Sequence, residues 1–376
     1  MPAERTNPTP RVMGRLRLVS QGLLGGGFPT VPEAVRWMTC MQAQDLGSAL
    51  WAVGQRVPGT TASDVRAALD AGTVVRSWPM RGTLHLLAPE DLRWILKITS
   101  DRLMNSLAGR HRELNITSHD ISHCRDIAFK TAEVLKAGGA QGASREQLFQ
   151  AFEDAGQITK AQRGIHLLGS LCQLAWLVQG PMAGTNGKVG VQQLFVPFEE
   201  WIPDSRELGR ADGIAELLLR YVRSHGPASI KDFAWWSQIP LTEARAALYE
   251  VQDRLVELEF GGSSYWLSPE TAAMLDDGVP GSRSLLALPG FDEFLLGYQD
   301  RSLVLAPEHA ELVVPGKNGV FKRIMVSGGE VVGTWARTVN GKTIGVTPEP
   351  FAGVLGTAAE RSFHAQGRAY LKFMAG

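Results

Sequence analysis

Cysteine is scarce: Cys40, Cys124 and Cys172 are the three in 376 residues. An odd, widely spaced set provides no disulfide framework and no CxxC zinc pattern. Such usage fits a reducing cytoplasm, the compartment expected here. Long apolar runs are also missing. No stretch approaches the 18 continuous apolar residues of a membrane span, and the opening MPAERTNPTPRV has no apolar signal core. Net charge is absent too, with 38 Lys and Arg against 38 Asp and Glu. A globally basic DNA coat is thereby excluded. The sequence has no Walker A pattern, no GxGxxG after a strand, no HExxH and no GxSxG, and its eight histidines do not fall at metal-ligand spacings. The common nucleotide, zinc-protease and serine-hydrolase readings therefore lack support.

What is present describes a folded protein. The chain is 44% hydrophobic and 20% charged. At about 150 residues per domain its length allows two or three domains. Charge is unevenly spread: residues 1–112 hold 14 Lys and Arg against 8 Asp and Glu, a net of +6 that the remainder balances with −6. A basic portion of a neutral chain is compatible with nucleic acid at one surface, and equally with no special role.

The hydrophobic pattern predicts helices over 12–24, ending at the glycines 25–27, over 31–42, begun by Pro29-Thr30, and over 62–71. VVRSWPMRGTLHLLAPEDL then reads as two strands, 74–78 and 83–87, joined through 79–82. Helices followed by a two-stranded ribbon outline a winged helix. The outline recurs: helices over 144–155 and 161–175, with strands over 174–179 and 189–196; then helices over 214–224, 230–236 and 241–258, with strands over 256–260 and 265–267. The first and third ribbons exit through similar segments, LLAPEDL and WLSPETA, where Pro and Glu open a helix. After Pro280 the texture alternates as in strands, over 284–288, 319–327, 330–337 and 343–346, with SGGE and NGK as hairpin turns and a closing helix over 350–374. The fold class is α+β: three tandem winged-helix units and a small C-terminal antiparallel β domain. The expected division is 11–90, a helical connector 91–142, 143–200, 208–270, and 282–376.

Four segments carry polar groups suited to chemistry. In MTCMQAQDLGSALWAVGQR, Gln42 and Gln44 are two residues apart. On a helix they point about 200° apart, whereas in an extended turn they converge. QxQ alone is a weak signal, commonly a solvated helix end. In WPMRGTLHLL, Arg81 can bond a phosphate or a neighbouring loop. His85 faces away from Leu84 and Leu86, and a strand histidine is usually a structural donor. In LPGFDEFLLGYQDRSLVL, Asp292, Glu293, Tyr298, Asp300 and Arg301 crowd together, either as paired acids for catalysis or as a structural network, the reading we favour. Lys317, Lys322, Arg323, Arg337 and Lys342 can line a phosphate-facing edge or merely guard a sheet edge.

Taken in order, MQAQDLGSALWAVGQR, WPMRGTLHLLAPEDL, LPGFDEFLLGYQDR and VVGTWAR resemble the AlkZ/YcaQ-type winged-helix DNA glycosylases over about residues 12–373. The resemblance implies a concave, DNA-sized channel. It also implies removal of bulky N7-alkylated purines, extending to unhooking of interstrand crosslinks. The family signature is Gln, an aliphatic residue, then Gln, or Asp in a second branch. Here it matches Gln42-Ala43-Gln44, with Asp45 directly following. The Gln branch is associated with self-resistance to DNA-alkylating natural products. The resemblance assigns catalysis to Gln42 and Gln44 and implies DNA contact by a β-hairpin and basic channel residues, for which Arg81, His85, Arg301, Lys317, Lys322 and Arg323 are the candidates in this sequence. Asp292, Tyr298 and Asp300 are supporting residues. The expected partner is double-stranded DNA carrying alkylated purines, the expected state a monomer. No metal or organic cofactor and no membrane is expected.

The competing reading is a non-catalytic DNA-binding regulator using 241–258 in the major groove. LTEARAALYEVQDRLVEL carries about as many acids as bases, which suits a recognition helix poorly. A scaffold with no DNA role is the third reading.

Overall fold

A computed structural model describes residues 8–184, 192–317, 319–340 and 343–376. The chain divides into two compact units, Met1–Val65 with Ile214–Gly376, and Arg66–Gly213. Among the described residues, helices mix with antiparallel sheets, and no helix is long and apolar enough to cross a membrane.

The first unit opens with α1, Pro10–Ser20. Thr9 caps it, its hydroxyl accepting from the Val12 amide at 3.3 Å, with Pro10 at the first helical position. The helix stops before the predicted Leu24. Gly22 takes φ 69°, its amide bonds Val19 O, and the Leu23 amide reaches back to Leu18 O. These are the two bonds of a Schellman ending, so Gly22 rather than the 25–27 run terminates the helix. α2, Val31–Met38, starts as predicted at Thr30 but ends four residues before Gln42. β1 is Met41–Gln42, and α3, Leu46–Arg56, was not anticipated.

Later in this unit, helices Ile230–Ser237 and Leu241–Val251 lead into a ribbon of Val256–Phe260 and Ser263–Leu267. The helix expected to reach Leu258 ends at Val251, because β pairing claims the residues from Val256. The C-terminal strands form a four-stranded antiparallel sheet ordered Thr343–Pro350, Glu330–Asn340, Ile324–Ser327, Leu285–Leu288. Helix Thr357–Ala375 closes the unit, with Tyr370 and Phe373 edge-on and tilted against Trp51 of α3. The core gathers Leu18, Leu288, Phe294, Val304, Val313, Ile324, Val326 and Val331.

In the second unit, helices Pro89–Glu113, Ser118–Ala137, Arg145–Asp154 and Arg163–Gln173 surround a core of Cys124, Leu148, Phe152, Leu167, Leu171, Leu177 and Phe195. Reciprocal capping boxes start two of them, at Thr117 with Asp120 and at Ser144 with Gln147. The first ribbon pairs Val75–Met80 with Thr83–Leu87. Pro79, expected in the connection, lies in the strand where the register shifts between Ser77 and Met80, the position at which a sheet tolerates a residue without an amide proton. Arg81 and Gly82 form the turn, with φ 55° and 66°, the primed geometry that matches strand twist. The second ribbon pairs Leu177–Met182 with Gln193–Pro197 and joins the first through Arg76 opposite Gln179. The expected strand over 189–196 falls partly outside the described residues, as does the NGK turn.

Candidate functional site

The QAQ segment sits between α2 and α3. At the end of α2 the chain makes a three-residue turn: the Cys40 amide bonds Met38 O at 2.8 Å across Thr39, which takes φ 64° and ψ −59°. This is the strained γ-turn, rare for any residue and costlier for a β-branched one. Conformations of this kind cost of order 1–3 kcal/mol and persist only where their surroundings over-determine them. Met38, Cys40, Met41 and Ala43 supply part of that constraint, each at most 1% exposed.

The turn throws the chain into extended geometry. Met41 and Ala43 face the core, while Gln42 is half-buried and Gln44 exposed. A two-residue period therefore sets both glutamines on one side, in place of the helical placement that divides them. The Gln42 amide donates to Glu293 Oε1 at 3.0 Å. Its side-chain Oε1 is buried and meets no protein donor among the described residues. Leaving such an acceptor unmet costs about 1–3 kcal/mol, so each instance calls for an explanation. Asp45 closes the segment as the N-cap of α3, its carboxylate accepting from the Ser48 amide at 2.6 Å.

Beneath the glutamines lies a buried polar layer built from the FDEFLLGYQD segment. Phe291 takes φ 61°, and Asp292 then caps the short helix Glu293–Leu296 through the Phe294 amide at 2.9 Å. The Asp292 carboxylate receives a two-pronged pair from Arg56, at 2.9 and 3.1 Å, with both side chains buried. Arg56 also donates to Gln21 Oε1, Gln21 O and Ala52 O. Removing one member of such a pair typically costs about 3–5 kcal/mol, because the other charge stays buried. Glu293, 2% exposed, accepts the Trp236 indole N–H on Oε2 at 3.0 Å, and His225 Nε2 lies 3.5 Å from the same oxygen.

Tyr298 donates to His225 O at 2.6 Å, accepts from Gln21 Nε2, and stacks under the Arg17 guanidinium at 3.6 Å. Burial pushes its phenol well above the ordinary range. Asp300 accepts from the Ser302 amide at 2.9 Å. Burial pulls its pKa upward, but the Ser302 bonds and the Arg17 and Arg301 charges outweigh this and hold it below the usual carboxylate value. Asp292, Tyr298 and Asp300 are thus each held by hydrogen bonds within the protein, and the arginine paired with Asp292 is Arg56. Arg301 donates to Leu295 O and lies against the rings of Trp235 and Phe321.

A small pocket of about 110 Å³ at the start of α3 is lined by Asp45, Ser48, Arg323, Trp335 and Arg337. Arg323 rests over the Trp335 ring, and Lys322 is exposed beside it. The Lys317 side chain and Lys342 lie outside the described residues. In the second unit His85 is fully buried. Arg81, which can only donate, bonds His85 Nε2 at 3.0 Å, so the ring proton is on Nδ1 and goes to Thr83 O at 2.9 Å. Among the described residues, no three His, Cys, Asp or Glu side chains come together as a metal-holding group.

Sequence reasoning missed the roles of Thr39, Trp236 and His225, and it did not connect Glu293 with Gln42. The one signal was an acidic pair embedded between apolar residues. The contact itself spans 251 positions and leaves no local trace.

Comparison with known proteins gives three findings. The family model described as "DNA glycosylase AlkZ-like" matches residues 35–373. The interstrand DNA cross-link repair glycosylase of Streptomyces sahachiroi is 25% identical over 331 residues, covering 86% of this chain and 85% of that protein. The solved structure of the Streptomyces sahachiroi DNA glycosylase AlkZ superposes with a TM-score of 0.78 at 21% identity, covering 98% of this chain and 97% of that one. At that identity the last match bears on the fold alone.

Proposed function

The chain belongs to the AlkZ-like DNA glycosylase family, and from that premise we propose that it excises bulky N7-alkylated guanine by water-mediated hydrolysis, with Gln42 and Gln44 as the catalytic pair. The same activity on a crosslinked guanine unhooks the two strands, in line with the name of the Streptomyces sahachiroi relative. The proposed biological role is self-resistance to a DNA-alkylating natural product.

The chemistry suits a weak apparatus. N7 alkylation leaves the purine positively charged, so the base departs neutral and needs no general acid. As the C1′–N9 bond breaks, the positive charge passes to the sugar as an oxocarbenium ion. Water adds at C1′ and loses a proton, leaving an abasic site. What the protein must supply is a held water and a negative dipole near C1′. A glutamine carbonyl oxygen provides both, accepting from the water and facing the developing cation. Positioning is then the main contribution, and unmodified purines, which lack the activated leaving group, survive.

The observation that carries this reading is the Gln42 side chain, whose buried Oε1 meets no protein donor among the described residues and which shares its face with Gln44. The capping role of Asp45 supports Gln44 rather than Asp45 as the last residue of the signature. The three successions of helices and ribbon are, in this proposal, winged-helix units, with DNA lying in the concave channel that the family resemblance implies. DNA contact is proposed for Arg81, Arg301, Lys317, Lys322 and Arg323, whereas His85, expected among them, is buried and bonds Arg81 instead. Exposure of Lys322 and the place of Arg323 beside the start of α3 support those two.

The test is a duplex carrying one N7-alkylguanine, incubated with the wild type, Gln42→Ala and Gln44→Ala, then cut with hot alkali. Alkali-dependent cleavage by the wild type is expected, with losses of about 100-fold or more in either variant if each supplies an electrostatic contact to the transition state. Unchanged release in both variants, or release of unmodified guanine at a similar rate, defeats the proposal.

A further inference from the structure

We infer that Glu293 is a positioning residue for base release: its carboxylate holds the Gln42 backbone in place and thereby aims the Gln42 carboxamide. The inference rests on the reading of Gln42 as catalytic, and deepens it.

The argument begins with the Thr39 turn. A γ-turn of positive φ in a β-branched residue does not hold itself. The chain that leaves it is extended over Met41–Gln42, and a partner outside the segment that takes up the Gln42 amide opposes relaxation of the turn. Glu293 Oε1 does so at 3.0 Å, and a bond to a charged acceptor is stronger and shorter than one to a neutral carbonyl.

The carboxylate is itself fixed. Asp292 caps the turn that carries Glu293, and Arg56 holds Asp292. The Trp236 indole N–H grips Oε2, and the His225 ring stands 3.5 Å from that oxygen. Trp236 comes from helix Ile230–Ser237, whose start is set by the Ser229–Asp232 capping box. Trp236 and His225 therefore converge on one oxygen of a carboxylate carried by a capped turn, and its Oε1 addresses the backbone of the first glutamine. Glu293 is 2% exposed with both oxygens engaged, so it is placed to orient a group and not to meet substrate.

The orienting role has a geometric reason. A held water must lie within hydrogen-bond reach of Gln42 Oε1 and in line with C1′. A displacement of about 1 Å at such a contact can lower the rate a hundredfold. In Glu293→Gln the volume is kept, but one oxygen becomes an amide. Its N–H then opposes either the Gln42 amide or the Trp236 indole, and one of the two bonds is lost.

The experiment is a double-mutant cycle read by single-turnover base release and by duplex affinity. The variants are Glu293→Gln, Gln42→Asn, which retracts the carboxamide by one methylene, and the pair combined. We expect Glu293→Gln to slow release by about tenfold or more while duplex Kd stays unchanged. In the Gln42→Asn background the same substitution should cost much less, since the group it aims is already displaced. Trp236→Phe, which removes the donor on Oε2, should slow release in the same direction, and it stands in for Glu293→Gln in the cycle if that variant does not fold. Release at the wild-type rate in both Glu293→Gln and Trp236→Phe overturns the inference. So does an equal proportional loss with and without the Gln42 change, the mark of a structural role. Unchanged release in Gln42→Asn and Gln42→Ala marks instead the failure of the catalytic reading.

Discussion

Thr39 is where local preference and global structure disagree. Its φ of 64° is unfavourable for a β-branched side chain, and its hydroxyl is buried with no partner among the described residues. Glycine adopts this backbone without steric cost and brings no hydroxyl to bury. Thr39→Gly is therefore expected to leave thermal stability at or above wild type and base release intact. Thr39→Pro fixes φ near −65° and cannot make the turn, so it should abolish release and lower the melting temperature. A melting curve and a release assay on the two variants check both statements. Nothing in the sequence marks Thr39 for this role. Gln42 and Gln44 were visible as a pair of polar side chains, but their orientation was not. It depends on whether the chain is helical or extended, and the turn that decides this involves a residue type that disfavours it.

At the scale of elements, helix starts were legible and several helix ends were not. Thr9, Thr30, Ser144 and Ser268 each accept an amide bond at the helix start, and a short polar side chain beside a periodic apolar stretch announces that chemistry. The two Pro-Glu exits after the first and third ribbons open helices as expected. The end of α2 and the whole of α3 escaped because ALWAVGQR continues the apolar texture of what precedes it, and the break rests on backbone torsion. Asp45 is the element-scale test of the glutamine reading. Asp45→Ala removes the cap of α3 and should cost about 1 kcal/mol of stability, measured by urea unfolding. Base release should remain near wild type, since the carboxylate is engaged with the Ser48 amide. A loss as large as that of Gln44→Ala would transfer the catalytic role to Asp45 and shift the signature by one residue.

For the whole molecule, titration should be governed in part by a histidine pair of the second unit, His111 buried and His166 half-buried. His111 and His166 meet edge to face at 5.4 Å. Burial is the main cause lowering both pKa values below the ordinary 6.5, with repulsion from His166 adding to it for His111 and from Arg110 for His166. The unfolded chain therefore binds protons more readily than the folded one. Their stabilising contribution is complete above pH 6.5 and is lost as pH falls through and below that value. Melting temperatures at pH 7.5 and 5.0 should differ more for the wild type than for a His111→Gln, His166→Gln double variant. An equal pH dependence in the two would show that the pair does not set it.

Read along the chain, the residues were enough for the mixture of helices and ribbons, the places where most helices begin and the late β region, because each follows from periodicity or from short-range capping and turn chemistry, interactions spanning at most a few residues. The two glutamines stood out through the family resemblance of the ordered motifs. Tertiary structure alone decided what those glutamines are attached to. The Glu293 contact to Gln42, the Arg56 pair with Asp292 and the Trp236 grip on Glu293 span 251, 236 and 57 positions. Buried charge must find its partners wherever folding brings them, and a single chain read in order carries no record of that choice.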